Sequence, residues 1–132
     1  MPTNRKDLIS EHETIERDLI ELDTIMHSSI INYPNLIHVL KNLRQFWEQH
    51  EQKEDIFFDS LYNKGFPIPV KKISFEHGKL KRDMDIILRA LQSGSEDEMH
   101  TVLFKYGKDL ISQMRKHMAD EDWILYALPK KF

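Results

Sequence analysis

Residues 50–58 read His50-Glu51-Gln52-Lys53-Glu54-Asp55-Ile56-Phe57-Phe58. A histidine and a glutamate four residues apart share one face of a helix. Their surroundings are helical in period: Leu36, Leu40, Leu43 and Trp47 precede them and Phe57 and Leu61 follow, at three-and-four spacing. A polar pair thus interrupts an apolar stripe. The arrangement returns at His117-Met118-Ala119-Asp120-Glu121, where Gln113, His117 and Glu121 break a seam running from Leu110 to Ile124.

Outward from these two stretches, turn residues divide the chain. Breaks fall at Tyr33-Pro34, at Lys64-Gly65-Phe66-Pro67-Ile68-Pro69, at Gln92-Ser93-Gly94-Ser95 and at Pro129. Four segments remain, about 4–29, 34–63, 70–92 and 95–127, each long enough for a helix. The first carries Leu8, Ile15, Leu19, Leu22 and Met26 on one stripe, and the third carries Ile73, Leu80, Met84, Ile87 and Leu91. The fourth carries Met99, Leu103, Tyr106, Leu110, Ile124 and Leu128. Pro34 suits a first helical turn, and Ser95-Glu96-Asp97-Glu98 reads as a capping box. No segment alternates as a strand would. Short links between long helices favour antiparallel neighbours, so the expectation is an all-α, up-down-up-down four-helix bundle, one domain spanning residues 1–132.

Composition narrows the chemistry. The absence of cysteine excludes a disulfide framework, a thiolate metal site and a cysteine nucleophile. Any metal site must use imidazole and carboxylate. A net charge of −3 with no long basic stripe argues against a nucleic-acid partner. No apolar run is long enough for a signal peptide or a membrane span, so the expected setting is the cytoplasm.

Polar residues fill the gaps in every stripe. His12 lies between Leu8 and Ile15, His50 and Glu54 between Trp47 and Phe57, His77 between Ile73 and Leu80, and His117 and Glu121 between Leu110 and Ile124. Burying a polar group without a partner costs roughly 2–7 kcal/mol. Four buried imidazoles with two carboxylates must therefore satisfy one another, and a metal cluster does this: cations neutralise the carboxylates and take the imidazole lone pairs. Depth in the bundle agrees. His12 lies about 19 residues before the first link and His50 about 19 after it, while His77 and His117 lie about 17 and 23 residues from the last link. Glu54 and Glu121 are placed to bridge two ions, with histidines at the outer positions. Mixed nitrogen and oxygen donors suit iron, and manganese or zinc less well.

These residues resemble the hemerythrin-like family of HHE cation-binding domains over nearly the whole chain. Its pattern is a histidine in the first helix, H-x-x-x-E in the second, a histidine in the third and H-x-x-x-E or H-x-x-x-x-D in the fourth, here His12, His50 with Glu54, His77, and His117 with Glu121. The resemblance implies a di-iron centre with oxo or hydroxo and carboxylate bridges, four terminal histidines and bridging Glu54 and Glu121. Its small ligand would be dioxygen, another diatomic or peroxide, and a sensor would also need a protein partner. Oxygen-carrying members have a second histidine four residues after the first in the third helix, where this chain has Lys81. Some members have a carboxylate next to the second-helix histidine instead, and Glu51 fits that description, so Glu51 joins the candidate ligands. Asp122, five after His117, is an alternative to Glu121. Ferritin-type sites need Glu-x-x-His, but the residues three before the four histidines are Ile9, Trp47, Ser74 and Met114.

Plainer roles stand beside these. Glu51 reads equally as a solvated residue, and Glu16 as a supporting or surface group. His27, His38 and His100, near helix ends, read as surface residues. Gly78 either permits a close approach near His77 or is incidental. Three functions fit: a module that binds or senses oxygen, iron or redox state; a small di-iron enzyme acting on peroxide, nitric oxide or ferrous iron; or a bundle whose histidines bind nothing or bind zinc adventitiously.

Overall fold

Asn4 opens the first helix. Its side chain accepts from the Asp7 N–H at 2.9 Å, and its own N–H donates to the Asp7 carboxylate. This reciprocal cap sets the start of α1, Arg5–Met26. Asn32 caps α2, Tyr33–Asn63, with Pro34 in the first turn where its missing N–H leaves nothing unpaired. Gly65, at φ 96°, turns the chain after α2 in a conformation that glycine adopts without strain. Then follow α3, Val70–Ser93, and α4, Glu96–Val102, which begins where Ser95 accepts from the Glu98 N–H. These elements come from a computed structural model that describes residues 3–129.

Leu103–Gly107 forms a π-helical turn, and α5, Lys108–Ala127, continues from it. Backbone angles stay in the right-handed helical region on both sides of the turn, so α4, the π turn and α5 make one rod. The chain is thus a four-helix bundle with no strand among the described residues. Gly107 sits where this rod meets the end of α1. A Cβ there would stand 2.5 Å from the Met26 methyl, so the tip of Met26 fills the space that a side chain would take.

Among the described residues, two apolar clusters fill the interior. The larger holds Ile15 to Ile25 of α1, Leu36 to Trp47 of α2, Leu80 to Leu91 of α3, and Leu103 to Met118 of the fourth rod. The smaller gathers Leu8, Phe58, Leu61, Ile73 and Leu125. One end of the bundle therefore collects the start of α1, the end of α2, the start of α3 and the end of α5, the alternation expected of an up-down-up-down order.

The stripes read from sequence are corrected in two places. Phe58, not Phe57, takes the core position on α2, and Leu125 rather than Ile124 does so on α5. Phe57 and Ile124 pack at the margin of the smaller cluster. Met26, Met99 and Tyr106 are likewise marginal to the larger one. Among the described residues, no helix is long and apolar enough to cross a membrane.

Candidate metal centre

The two clusters do not meet; a polar layer separates them. Along α1 the order is Leu8, His12, Ile15; along α3 it is Ile73, His77, Leu80. On α2, His50, Glu51 and Glu54 lie between Trp47 and Phe58, and on α5, His117 and Glu121 lie between Met114 and Leu125. All seven polar residues are buried, Glu54 completely, at 0% exposure. The i, i+4 spacing aims His50 with Glu54, and His117 with Glu121, at the same level of the interior.

The imidazoles form two pairs. The rings of His12 and His50 have centroids 4.7 Å apart, and those of His77 and His117 also 4.7 Å. Each Nε2 faces inward to the two glutamates. His12 Nε2 lies 3.1 Å from Glu54 Oε2 and 3.2 Å from Glu121 Oε1. His77 Nε2 lies 3.1 Å from both Glu54 Oε1 and Glu121 Oε2. His50 Nε2 lies 2.9 Å from Glu54 Oε1, and His117 Nε2 3.0 Å from Glu121 Oε2.

Each Nδ1 faces outward to a different carboxylate. His50 pairs with Glu11 at 2.8 Å, His77 with Asp55 at 3.1 Å, His117 with Glu76 at 2.8 Å and His12 with Asp122 at 2.6 Å. These contacts close a ring. Helix α1 supports the histidine of α2, α2 that of α3, α3 that of α5, and α5 that of α1. When the imidazoles are neutral with Nδ1–H donating outward, every Nε2 presents its lone pair to the interior, the tautomer that a metal ligand requires.

Charge accumulates accordingly. Burial works against protonation of His12, but the surrounding carboxylates of Asp122, Glu121 and Glu54 outweigh it and raise its pKa to about 11. His77 is likewise opposed by burial and pushed up to about 12 by Asp55, Glu121 and Glu54. His117 is raised by Glu121 and Glu76 against its burial. Burial opposes the charge of Glu54, yet three histidines hold its carboxyl well below the usual range. Glu121 is also lowered, by His117, His12 and His77, against burial and the repulsion of Glu54. The layer thus demands positive charge between its carboxylates, which protons or metal cations can supply.

The donor set tests which. His50 Nε2, His117 Nε2 and Glu121 Oε1 have no hydrogen-bond partner, although oxygens or nitrogens stand about 3 Å away: the distances are short but the angles are wrong. Such lone pairs suit a cation between the groups. Two sets of donors form around such positions, His12, His50, Glu54 and Glu121 in one, and Glu54, His77, His117 and Glu121 in the other. Within each set the donor atoms all lie within 4.8 Å of one another, close to the roughly 4.2 Å separating opposite ligands at about 2.1 Å from an ion. Both sets use Glu54 and Glu121. The residues present therefore fit a cation-binding site.

Other sequence candidates fall around this layer. Glu51 is buried, with Oε1 4.0 Å from Lys81 Nζ and Oε2 unpartnered, but it belongs to neither donor set. Asp122 stands on the outer side of His12, whereas Glu121 lies inside. Glu16 is engaged by Arg115. Gln113 accepts from Lys79 at 2.7 Å and donates to Asp109, so it stays outside the site. Lys81, at the position of the expected extra histidine, donates to Glu48 at 3.0 Å. His27, His38 and His100 are exposed. A Cβ on Gly78 would meet only an arginine tip at 3.9 Å, so that glycine serves no close approach.

The sequence reading missed Glu11, Asp55 and Glu76 as supporting groups. Each is the immediate chain neighbour of a site residue, His12, Glu54 and His77 respectively, and that adjacency is the one signal the sequence holds.

The family model described as the Hemerythrin HHE cation binding domain matches residues 3–128. Comparison with curated proteins and with solved structures returns no match.

Proposed function

The chain belongs to the hemerythrin HHE cation-binding family, and from that premise we propose that it holds two iron ions and binds or senses oxygen or responds to iron and redox state. One observation carries the reading: two four-donor groups share Glu54 and Glu121, so one carboxylate from α2 and one from α5 can each serve two ions. His12 and His50 would hold one ion and His77 and His117 the other, with Glu51 as a further donor from α2. Imidazole and carboxylate together suit iron above manganese or zinc. When bound, the pair supplies one-electron redox chemistry and a coordination position open to a small ligand. The protein's own groups set the frame: the outer carboxylates fix the imidazole tautomers, and the two apolar clusters keep bulk water from the layer. The small ligand is dioxygen, another diatomic or peroxide, and the setting the reducing cytoplasm, to which a chain without cysteine is suited.

A second reading is favoured by Lys81. Its ammonium is engaged with Glu48 and stands where oxygen carriers place a histidine, so the nitrogen donor set is smaller. An open position of that kind equally suits a small enzyme that reduces peroxide or nitric oxide or oxidises ferrous iron.

Metal analysis of protein purified from iron-supplemented culture tests the proposal. The expected result is near two irons per chain with near-ultraviolet bands of an oxo bridge; no iron above adventitious levels would overturn it. Mixing the reduced protein with oxygen then separates the readings. A stable, coloured, reversible adduct means binding, whereas turnover with peroxide or nitric oxide means an enzyme.

A further inference from the structure

Among the described residues, five buried side-chain atoms lack a hydrogen-bond partner: Trp47 Nε1, His50 Nε2, Glu51 Oε2, His117 Nε2 and Glu121 Oε1. Four of them carry lone pairs, which cations satisfy. The fifth does not. An indole N–H is a donor only, with no lone pair to offer a metal. Filling the site with iron therefore leaves Trp47 Nε1 as the one atom of this group still in want of an acceptor.

Its position gives that donor a target. Trp47 is 0% exposed and lies one turn before Glu51 on α2. Its ring is 5.9 Å from that of His50, 5.9 Å from His77 and 5.7 Å from His117. The indole thus forms the boundary between the larger apolar cluster and three of the four imidazoles. The buried cluster behind it is built of leucines, isoleucines, a valine and methionines, whose side chains offer no oxygen or nitrogen acceptor, and the polar face that the indole meets is the metal layer.

We propose that Trp47 is a positioning residue for the exogenous ligand: its Nε1–H donates a hydrogen bond to a small, hydrogen-bond-accepting molecule or anion bound at the metal layer. The inference rests on the di-iron reading and adds the side on which the ligand sits, between the indole and the rings of His50, His77 and His117. It also adds a selectivity: ligands with a lone pair on the atom facing the indole are favoured over apolar ones of equal size.

The test uses azide as the probe on the iron-loaded, oxidised protein. Trp123 is exposed, so Trp123→Phe leaves Trp47 as the only indole of the two. In that background, azide affinity is read from the azide-to-iron charge-transfer band, and the indole N–H from its hydrogen-bond marker in ultraviolet resonance Raman spectra. Trp47→Phe should keep the iron content and weaken azide binding about 10-fold, equivalent to about 1.4 kcal/mol. Azide should also shift the indole marker when Trp47 is present. A residue that only fills space would lower the melting temperature on substitution and leave azide affinity unchanged. Should Trp47→Phe fail to fold or hold iron, benzothienylalanine at position 47 retains the bicyclic shape without the N–H and decides the matter. Unchanged azide affinity with iron retained, or an indole marker insensitive to azide, overturns the role of Trp47 alone. Failure of the parent protein to bind iron overturns the di-iron reading and this inference with it.

Discussion

His12 Nδ1 and Asp122 Oδ1 stand 2.6 Å apart, on the side of the imidazole away from Glu54 and Glu121. On the proposed reading Asp122 therefore orients a donor, while Glu121 would be one. Substituting them should separate the roles. Asp122→Ala should weaken iron binding by roughly 10–100-fold while full occupancy is still reached at high iron. Glu121→Ala removes a donor common to both sets and should leave iron below two per chain at any concentration. Chelator-competition titrations read both effects, and equal losses in the two variants would contradict the assignment.

The neighbouring glutamate invites a sharper contrast. Glu54 is within about 3 Å of His12, His50 and His77 at once, so its loss strands several buried groups. Glu54→Ala or His50→Ala should abolish stoichiometric iron and lower stability by roughly 3–5 kcal/mol, the scale of breaking a buried charge pair. His38 is exposed and its Nε2 meets the Asn42 amide nitrogen at 3.3 Å, away from the polar layer, so His38→Ala should change stability by no more than about 0.5 kcal/mol and iron not at all. Denaturant melts and metal analysis of the three variants are the check. Like behaviour of all three would remove the basis for the site.

The contrast between His38 and His50 was legible in the sequence because a histidine inside an apolar stripe differs from one off it. Helix existence was legible for the same reason, and the bounds of the rods differ little from those read off the turn residues. The π turn at Leu103–Gly107 was not, because one extra residue in a turn leaves the local composition unchanged. Phe57 and Phe58 are both aromatic and adjacent, so period alone cannot choose between them; rotation of α2 against its neighbours does. The outer carboxylates were hidden more deeply. Glu11 supports His50, not its chain neighbour His12, and that pairing depends on which helix stands beside which. Likewise, the leftover donor of Trp47 emerges only when every other buried polar atom has been assigned.

The charge balance of the layer predicts how the metal-free protein responds to pH. His12 and His77 have pKa values raised to about 11 and about 12, above the unfolded 6.5, so their contribution is fully present below pH 6.5 and is lost as pH rises through those values. Glu54 and Glu121 are depressed below the unfolded 4.5, so theirs is present above pH 4.5 and lost as pH falls through the folded values. Metal-free protein should be most stable between about pH 4.5 and 6.5 and decline steadily on the alkaline side. On the di-iron reading iron would replace those protons, so its binding should release protons and tighten with pH. Denaturation of the metal-free protein from pH 5 to 10, with pH-stat measurement of protons on iron addition, checks both signs. Rising stability between pH 6.5 and 9 would refute the charged-layer account.

Iron removal should act unevenly on the bundle. The polar layer divides the apolar interior, with the imidazoles and their carboxylates lying between the larger cluster and the smaller one of Leu8, Phe58, Leu61, Ile73 and Leu125. At iron a thousand-fold above its dissociation constant, binding contributes about 4 kcal/mol to folding. For a chain of this size, chelation should then lower the melting temperature by roughly 10–20 °C. The loss should concentrate in amides flanking the smaller cluster, at the start of α1 and α3 and the ends of α2 and α5, while those around Leu40, Leu43 and Met84 keep their protection. Hydrogen exchange with and without iron would map this. A uniform loss over both clusters would mean that the layer does not mechanically separate them, and an unchanged melting temperature would mean that iron is not bound by the folded chain.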